Sequence, residues 1–98
     1  WTTTIIVEAE NPQQAINAAI AGADGILLDE MSPQIIYELV PKLREISRQR
    51  SEGKNLVIEA SGIDPSTLKS YYQTGIDLIS TSAAVTKSHW IDLSMRFE

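Results

Sequence analysis

The sequence predicts an α/β chain of four parallel strands joined by three helices, and three observations predict it. Four apolar runs with strand character recur about every 20–30 residues, the length of a strand–helix unit. Between them lie stretches with apolar residues at helical spacing, each opened by a capping residue followed by proline. Lastly, acidic or hydroxyl side chains stand at the C-terminal end of every run: Glu8 and Glu10, Asp29 and Glu30, Glu59 and Ser61, Ser80 and Ser82. In (β/α) folds that end of the sheet carries the sites, because the strand-to-helix loops and helix N-termini converge there.

The first strand spans Thr3–Glu10, with Ile5, Val7 and Ala9 on one side and Ile6, Glu8 and Glu10 on the other. Asn11-Pro12 opens the first helix, in which Ile16, Ala19 and Ile20 keep i, i+3, i+4 spacing and which Gly22 ends. The second strand is Gly25–Asp29. Ser32-Pro33 opens the second helix, whose stripe is Ile35, Ile36, Leu39, Val40, Leu43 and Ile46 and whose end is marked by Gly53. Pro41 lies inside that stripe and predicts a kink or a break near Val40, since it has no N–H to give to the residue four before it. The third strand, Asn55–Ser61, sets Leu56, Ile58 and Ala60 against Val57, Glu59 and Ser61. Asp64-Pro65 opens a weaker helix carrying Leu68, Tyr71 and Tyr72, which ends at Gly75. A fourth strand, Asp77–Ser82, is followed by a tail, Ser88–Glu98. The wholly apolar faces belong against helices, so Glu8, Asp29, Glu59 and Ser61 point to the inner face of a barrel or an open sheet.

Composition excludes several classes of function. Ninety-eight residues, 43% hydrophobic, fit one domain spanning 1–98, and a formal charge of −5 lacks the basic stripe that a nucleic acid or an anionic membrane needs. Without cysteine there is no disulfide, thiolate metal site or cysteine nucleophile, in keeping with a cytoplasmic protein. No apolar run approaches the ~20 residues that span a bilayer. The chain opens on Trp1 and not on Met, so further sequence upstream is expected.

Acidic residues at strand ends can simply be solvated or cap the next helix; four strands repeating the pattern on one face argue for a site. Carboxylates without histidine suit Mg²⁺ better than Zn²⁺. His89, the sole histidine, reads as a tail or surface residue, so no Ser-His-Asp arrangement can be assembled. Ser61-Gly62 and the segment 80–86 resemble a phosphate cradle, with successive backbone N–H groups after adjacent strands.

The stretches 7–11 (VEAEN), 21–29 (AGADGILLD), 31–33 (MSP), 58–62 (IEASG), 74–77 (TGID) and 91–94 (IDLS) together resemble the C-terminal third of the quinolinate phosphoribosyltransferases, also called nicotinate-nucleotide pyrophosphorylases (carboxylating). The resemblance implies a parallel (β/α) half-barrel that is part of an open α/β barrel. It also implies transfer of phosphoribose from phosphoribosyl pyrophosphate to quinolinate with Mg²⁺, giving nicotinate mononucleotide, CO₂ and pyrophosphate in NAD biosynthesis. Such enzymes are homo-oligomers. By the resemblance, Glu8 and Asp29 hold the ribose hydroxyls and the Mg²⁺-bound pyrophosphate, while Ser61, Gly62 and Ile63, with Ser82, Ala83 and Lys87, surround the 5′-phosphate. The chain departs from the family pattern at Glu30 (usually Asn), Ile63 and Ser82 (usually Gly) and Lys87 (often His). The basic quinolinate pocket is not in this sequence; in the family it comes from upstream segments and a partner subunit. The isolated chain is therefore expected to be inactive. The alternative is a standalone, non-catalytic homologue that binds a phosphate ligand or serves assembly.

Overall fold

The computed structural model describes residues 4–50 and 55–81. Its elements are β1 (Ile6–Ala9), α1 (Pro12–Ile20), β2 (Gly25–Asp29), α2 (Pro33–Arg48), β3 (Val57–Ile63), a 3₁₀ turn (Pro65–Thr67) running into α3 (Leu68–Tyr72), and β4 (Leu78–Thr81). The strands form one parallel sheet in chain order, β1-β2-β3-β4. Right-handed crossovers taken in that unreversed order put every helix on the same face, as in a barrel wall; a doubly wound sheet would carry helices on both.

Burial follows from this arrangement. Ala9, Ile26, Leu28, Ile58, Ala60 and Ile79 face the helices and form the core with Ile36, Leu39, Val40 and Leu43 of α2. Among the described residues nothing covers the other face, on which Ile6 is 68% exposed. In α1 the buried residues are the small Ala15, Ala18 and Ala19, with Ile16 partly covered, while Ile20 of the expected stripe points to solvent. Ile35 and Tyr72 are likewise exposed, whereas Tyr71 is buried.

All three cap-and-proline starts form as their local chemistry dictates. Asn11 Oδ1 accepts from Gln14 N at 2.9 Å, Ser32 Oγ from Ile35 N at 3.3 Å and Asp64 Oδ1 from Ser66 N at 3.0 Å. Gln14 reaches back to accept from the Glu10 N–H at 2.8 Å, a variant of the capping box. Gly22 and Gly75 have φ of 99° and 90°, the left-handed conformation expected after helices. Gly53 lies outside the described residues, and α2 ends earlier, at Arg48 with Gln49 as its C-cap.

Pro41 does not split α2, which runs unbroken from Pro33 to Arg48. The carbonyl that loses its partner belongs to Tyr37; Tyr37 and Pro41 are both exposed, so water can take the place of the missing N–H. β1, β3 and β4 begin later than expected, at Ile6, Val57 and Leu78, while β2 has its expected bounds and β3 runs on through Ile63. That extension contains a β-bulge: Ala60 pairs with Ile79 but Ile63 with Thr81, so β3 carries one extra residue. Gly62, at φ 72°, takes up the bulge and lets both Ala60 and Ile63 face the core.

Below the rim, Arg44 of α2 and Arg50 just beyond it are structural. Arg44 donates to the carbonyls of Leu56 (2.6 Å) and Gly75 (2.9 Å) and to Asp77 Oδ2 (2.9 Å), joining α2 to the N-terminal ends of β3 and β4. Arg50 donates to the Ala23 and Ala19 carbonyls at 2.7 and 2.6 Å, closing the end of α1. Arg48 pairs with Glu45 on the surface.

Candidate functional site

Strand register sorts the open face into levels. Ile6, Gly25 and Val57 lie at the bottom; Glu8, Leu27, Glu59 and Leu78 share the next level; Asp29 and Ser61 pair above them at the C-terminal rim. The lower levels enclose a mostly apolar hollow of about 480 Å³ against Ile6, Gly25, Leu27, Val57 and Leu78, with Glu59 at its upper edge. The polar groups stand above it.

At the rim, the Ser61 hydroxyl donates to Asp29 Oδ1 at 3.3 Å, and the Glu30 N–H donates to the Ser61 carbonyl at 3.2 Å. The tops of β2 and β3 are thus tied by a side-chain and a backbone bond. Directly after Asp29, Glu30 has φ 52°, a left-handed conformation that costs a residue with a Cβ about 1–3 kcal/mol. Its side chain folds over Gly62, where a Cβ would stand 3.0 Å from Glu30 Cγ and 3.5 Å from Asp29 Oδ1. Gly62 is therefore required for its conformation and for the space it leaves.

Of the residues singled out in the sequence, Asp29, Ser61 and Gly62 come together. Glu8 shares the face but stands one level lower and one strand away, level with Glu59. Ile63 is 2% exposed and turned into the core, so its side chain does not enter the rim. Ser61-Gly62 belongs to the bulged end of β3 and not to a loop after it, and the helix that follows begins as a 3₁₀ turn. Ser82, Ala83, Lys87 and His89 lie outside the described residues.

Two features escaped the sequence reading. The Ser80 hydroxyl donates to the Glu59 carboxylate across β3 and β4, a contact that strand parity alone could have suggested. Tyr71 in α3 donates its hydroxyl to the Met31 carbonyl at 2.9 Å, with 40 residues between them and no local signal. Burial pushes the Tyr71 phenol above its ordinary range, so it remains a donor at neutral and mildly alkaline pH. At the entrance to the 3₁₀ turn, hydrogen bonds from the backbone and then the hydroxyl of Ser66 hold the Asp64 carboxyl below the usual range.

Among the described residues no three His, Cys, Asp or Glu side chains are gathered as a metal cage. No described helix is long and apolar enough to cross a membrane. A parallel sheet in chain order, helices on one face and carboxylates at the C-terminal rim of the other define one wall of a (β/α) barrel with a polar site at its top. Residues 1–96 match the family model for the quinolinate phosphoribosyl transferase C-terminal domain, and the chain belongs to that family. It is 38% identical over 96 residues to a probable nicotinate-nucleotide pyrophosphorylase (carboxylating) of Methanothermobacter thermautotrophicus, covering 97% of this chain and 33% of that protein. It is also 38% identical over 79 residues to a putative pyrophosphorylase ModD of Escherichia coli O157:H7, covering 81% and 26%. The crystal structure of NadC from Streptococcus pyogenes superposes with a TM-score of 0.68 at 30% identity, over 90% of this chain and 28% of that one. The chain thus spans about a third of the length of the curated relatives it matches.

Proposed function

We propose that these residues form the C-terminal part of a quinolinate phosphoribosyltransferase and supply the sugar-donor side of its site. The observation that carries the reading is the Asp29–Ser61 pair, on the inner face at the C-terminal rim of two adjacent strands in a chain of this family. Phosphoribosyl transfer breaks the bond from the anomeric carbon to pyrophosphate, and positive charge grows on the ribose ring as the leaving group departs. A fixed carboxylate beside the ring stabilises that charge and accepts hydrogen bonds from the ribose hydroxyls. Asp29 is suited to this because the Ser61 hydroxyl orients it, and Glu8, one level lower, offers a second carboxylate toward the same ligand.

The residues fit a magnesium ion that arrives with its substrate. Mg²⁺ is commonly held by one or two carboxylates plus substrate phosphates, and Asp29 and Glu8 offer that number without forming a cage of their own. The ion, when bound with the donor, neutralises the departing pyrophosphate. Asp29 and the Glu30 side chain both crowd Gly62, so a bare phosphate dianion is poorly matched to that point of the rim. Lys87 offers a cation for the 5′-phosphate, and the cations for quinolinate come from upstream segments and a partner subunit. The proposed setting is a cytoplasmic homo-oligomer.

Equal identity to the putative pyrophosphorylase ModD favours a second reading, in which the same donor half serves a different acceptor. The test is product analysis with the protein encoded by the full gene, supplied with magnesium phosphoribosyl pyrophosphate and quinolinate. Formation of nicotinate mononucleotide with CO₂ release supports the first reading. Donor binding without turnover of quinolinate, but with pyrophosphate release on another heteroaromatic acid, supports the second. Failure to bind the donor at all overturns both and leaves a non-catalytic module.

A further inference from the structure

The turn that carries Asp29 is held from outside the strand ladder. Glu30 gives it a left-handed residue, and an unfavourable backbone conformation drifts toward an ordinary one unless its neighbours fix it. On the sheet side, the Glu30 N–H donates to the Ser61 carbonyl. On the helix side, the tether is the Tyr71 hydroxyl, which donates to the carbonyl of Met31 at 2.9 Å. Both partners are buried, at 8% and 4% exposure, where loss of a hydrogen bond is not made good by water. Tyr71 is itself anchored, because its own carbonyl accepts from Thr74 Oγ1 at 2.6 Å and from Thr74 N at 3.1 Å. The helix that follows the Ser61–Gly62 bulge therefore reaches back to clamp the turn that follows Asp29.

We infer that Tyr71 is a positioning residue for the sugar-donor site: its hydroxyl fixes the Asp29–Glu30–Met31 turn and so determines where the Asp29 carboxylate stands over Ser61. The inference rests on the reading that Asp29 faces the donor. Tyr71 touches no substrate and acts only through this turn. Replacing the hydroxyl while keeping the ring retains the ring's packing and removes the helix-side tether, leaving the strained turn held only by the Glu30–Ser61 backbone bond.

The experiment uses the protein encoded by the full gene, with magnesium phosphoribosyl pyrophosphate binding followed by calorimetry alongside steady-state kinetics. Tyr71→Phe is expected to weaken donor binding about tenfold, the scale of one buried hydrogen bond, and to leave quinolinate affinity measured without donor unchanged. In an Asp29→Ala background the same change is expected to have no further effect on donor affinity, because the carboxylate it positions is gone. Adding Glu30→Asn, which tolerates the left-handed conformation better, is expected to restore part of the affinity lost in Tyr71→Phe. Donor affinity within twofold of the parent in Tyr71→Phe, or effects of Tyr71→Phe and Asp29→Ala that simply add, overturns the inference. If Tyr71→Phe does not fold alone, the double variant with Glu30→Asn decides: a folded double variant with unaltered quinolinate affinity and weakened donor affinity supports the role, and parental donor affinity overturns it. Intact donor binding by Asp29→Ala marks instead a failure of the functional reading on which the inference stands.

Discussion

Glu30 adopts its left-handed backbone where Gly62 of the neighbouring strand leaves room for its side chain, so two residues that depart from ordinary strand geometry occupy one another's space. The bulge of β3 calls for the Gly62 conformation, and Glu30 stands just past the end of β2. Together they bring the rim turn after β2 down onto the bulge of β3, beside the hydrogen bond from Ser61 to Asp29.

A Cβ at position 62 would meet Glu30 Cγ at 3.0 Å on a backbone with φ 72°. Gly62→Ala is therefore expected to lower stability by about 1–2 kcal/mol, read from urea denaturation. Glu30→Gly in the same chain removes the obstructing side chain, so the double variant should lose less than the sum of the two single changes. Strict additivity would show that the two residues do not share this space.

The helix starts were legible because capping is local: Asn11, Ser32 and Asp64 need only the next three residues to act. Strand parity was legible for the same reason, and it put Asp29 and Ser61 on one face. The bulge was not legible, since the extra residue in β3 exists only in relation to β4. The Tyr71–Met31 bond depends on how α3 docks, which no short window of sequence records. Pro41 does not break α2, because Pro41 and Tyr37, whose carbonyl loses its partner, are both exposed and water can replace the missing N–H.

Removing the Asp29 or Glu8 carboxylate should separate donor from acceptor. Asp29→Ala is expected to reduce kcat/KM for phosphoribosyl pyrophosphate by roughly 10- to 150-fold, corresponding to about 1.5–3 kcal/mol for a hydrogen bond to a charged group. Glu8→Ala should fall in the same range, with quinolinate affinity in the absence of donor little altered. Ser61→Ala is expected to be milder than Asp29→Ala, since it loosens the carboxylate without removing it. Parental kinetics for both carboxylate variants together with an inactive Ser61→Ala would reverse this assignment of roles.

Stability should fall at both ends of the pH scale for separate reasons. Burial raises the Tyr71 phenol above 10.0, so its contribution is complete below the unfolded value of about 10 and is lost as pH rises through the folded one. Asp64 is shifted the other way: its contribution is present above the unfolded carboxylate value and disappears as pH falls through the depressed folded value. Thermal melts across pH should show Tyr71→Phe flattening the alkaline decline and Asp64→Asn flattening part of the acidic one. An alkaline decline unchanged by Tyr71→Phe would assign it to another group.

At the opposite end of the sheet, Asp77 Oδ2 accepts from Arg44 Nη2 at 2.9 Å and from the Ile58 N–H at 2.8 Å, and Ile58 is fully buried. Asp77→Ala therefore breaks the ion pair and strands a backbone donor inside the sheet, which should cost about 1–3 kcal/mol. Asp77→Asn keeps an acceptor for Ile58 and should cost distinctly less, although it removes the charge. Arg44→Lys keeps the charge but loses the planar fork that serves the Leu56 and Gly75 carbonyls together, so it should fall near Asp77→Ala and not near the parent. The pair is about 27–29% exposed at its side chains, so added salt should weaken it only in part. Urea midpoints for the three variants at low and high salt check the ordering. If Asp77→Asn proved as damaging as Asp77→Ala, the ion pair and not the Ile58 hydrogen bond would be the principal contribution of this network. Because the network lies at the N-terminal ends of the strands, all three variants should keep parental donor affinity wherever they remain folded.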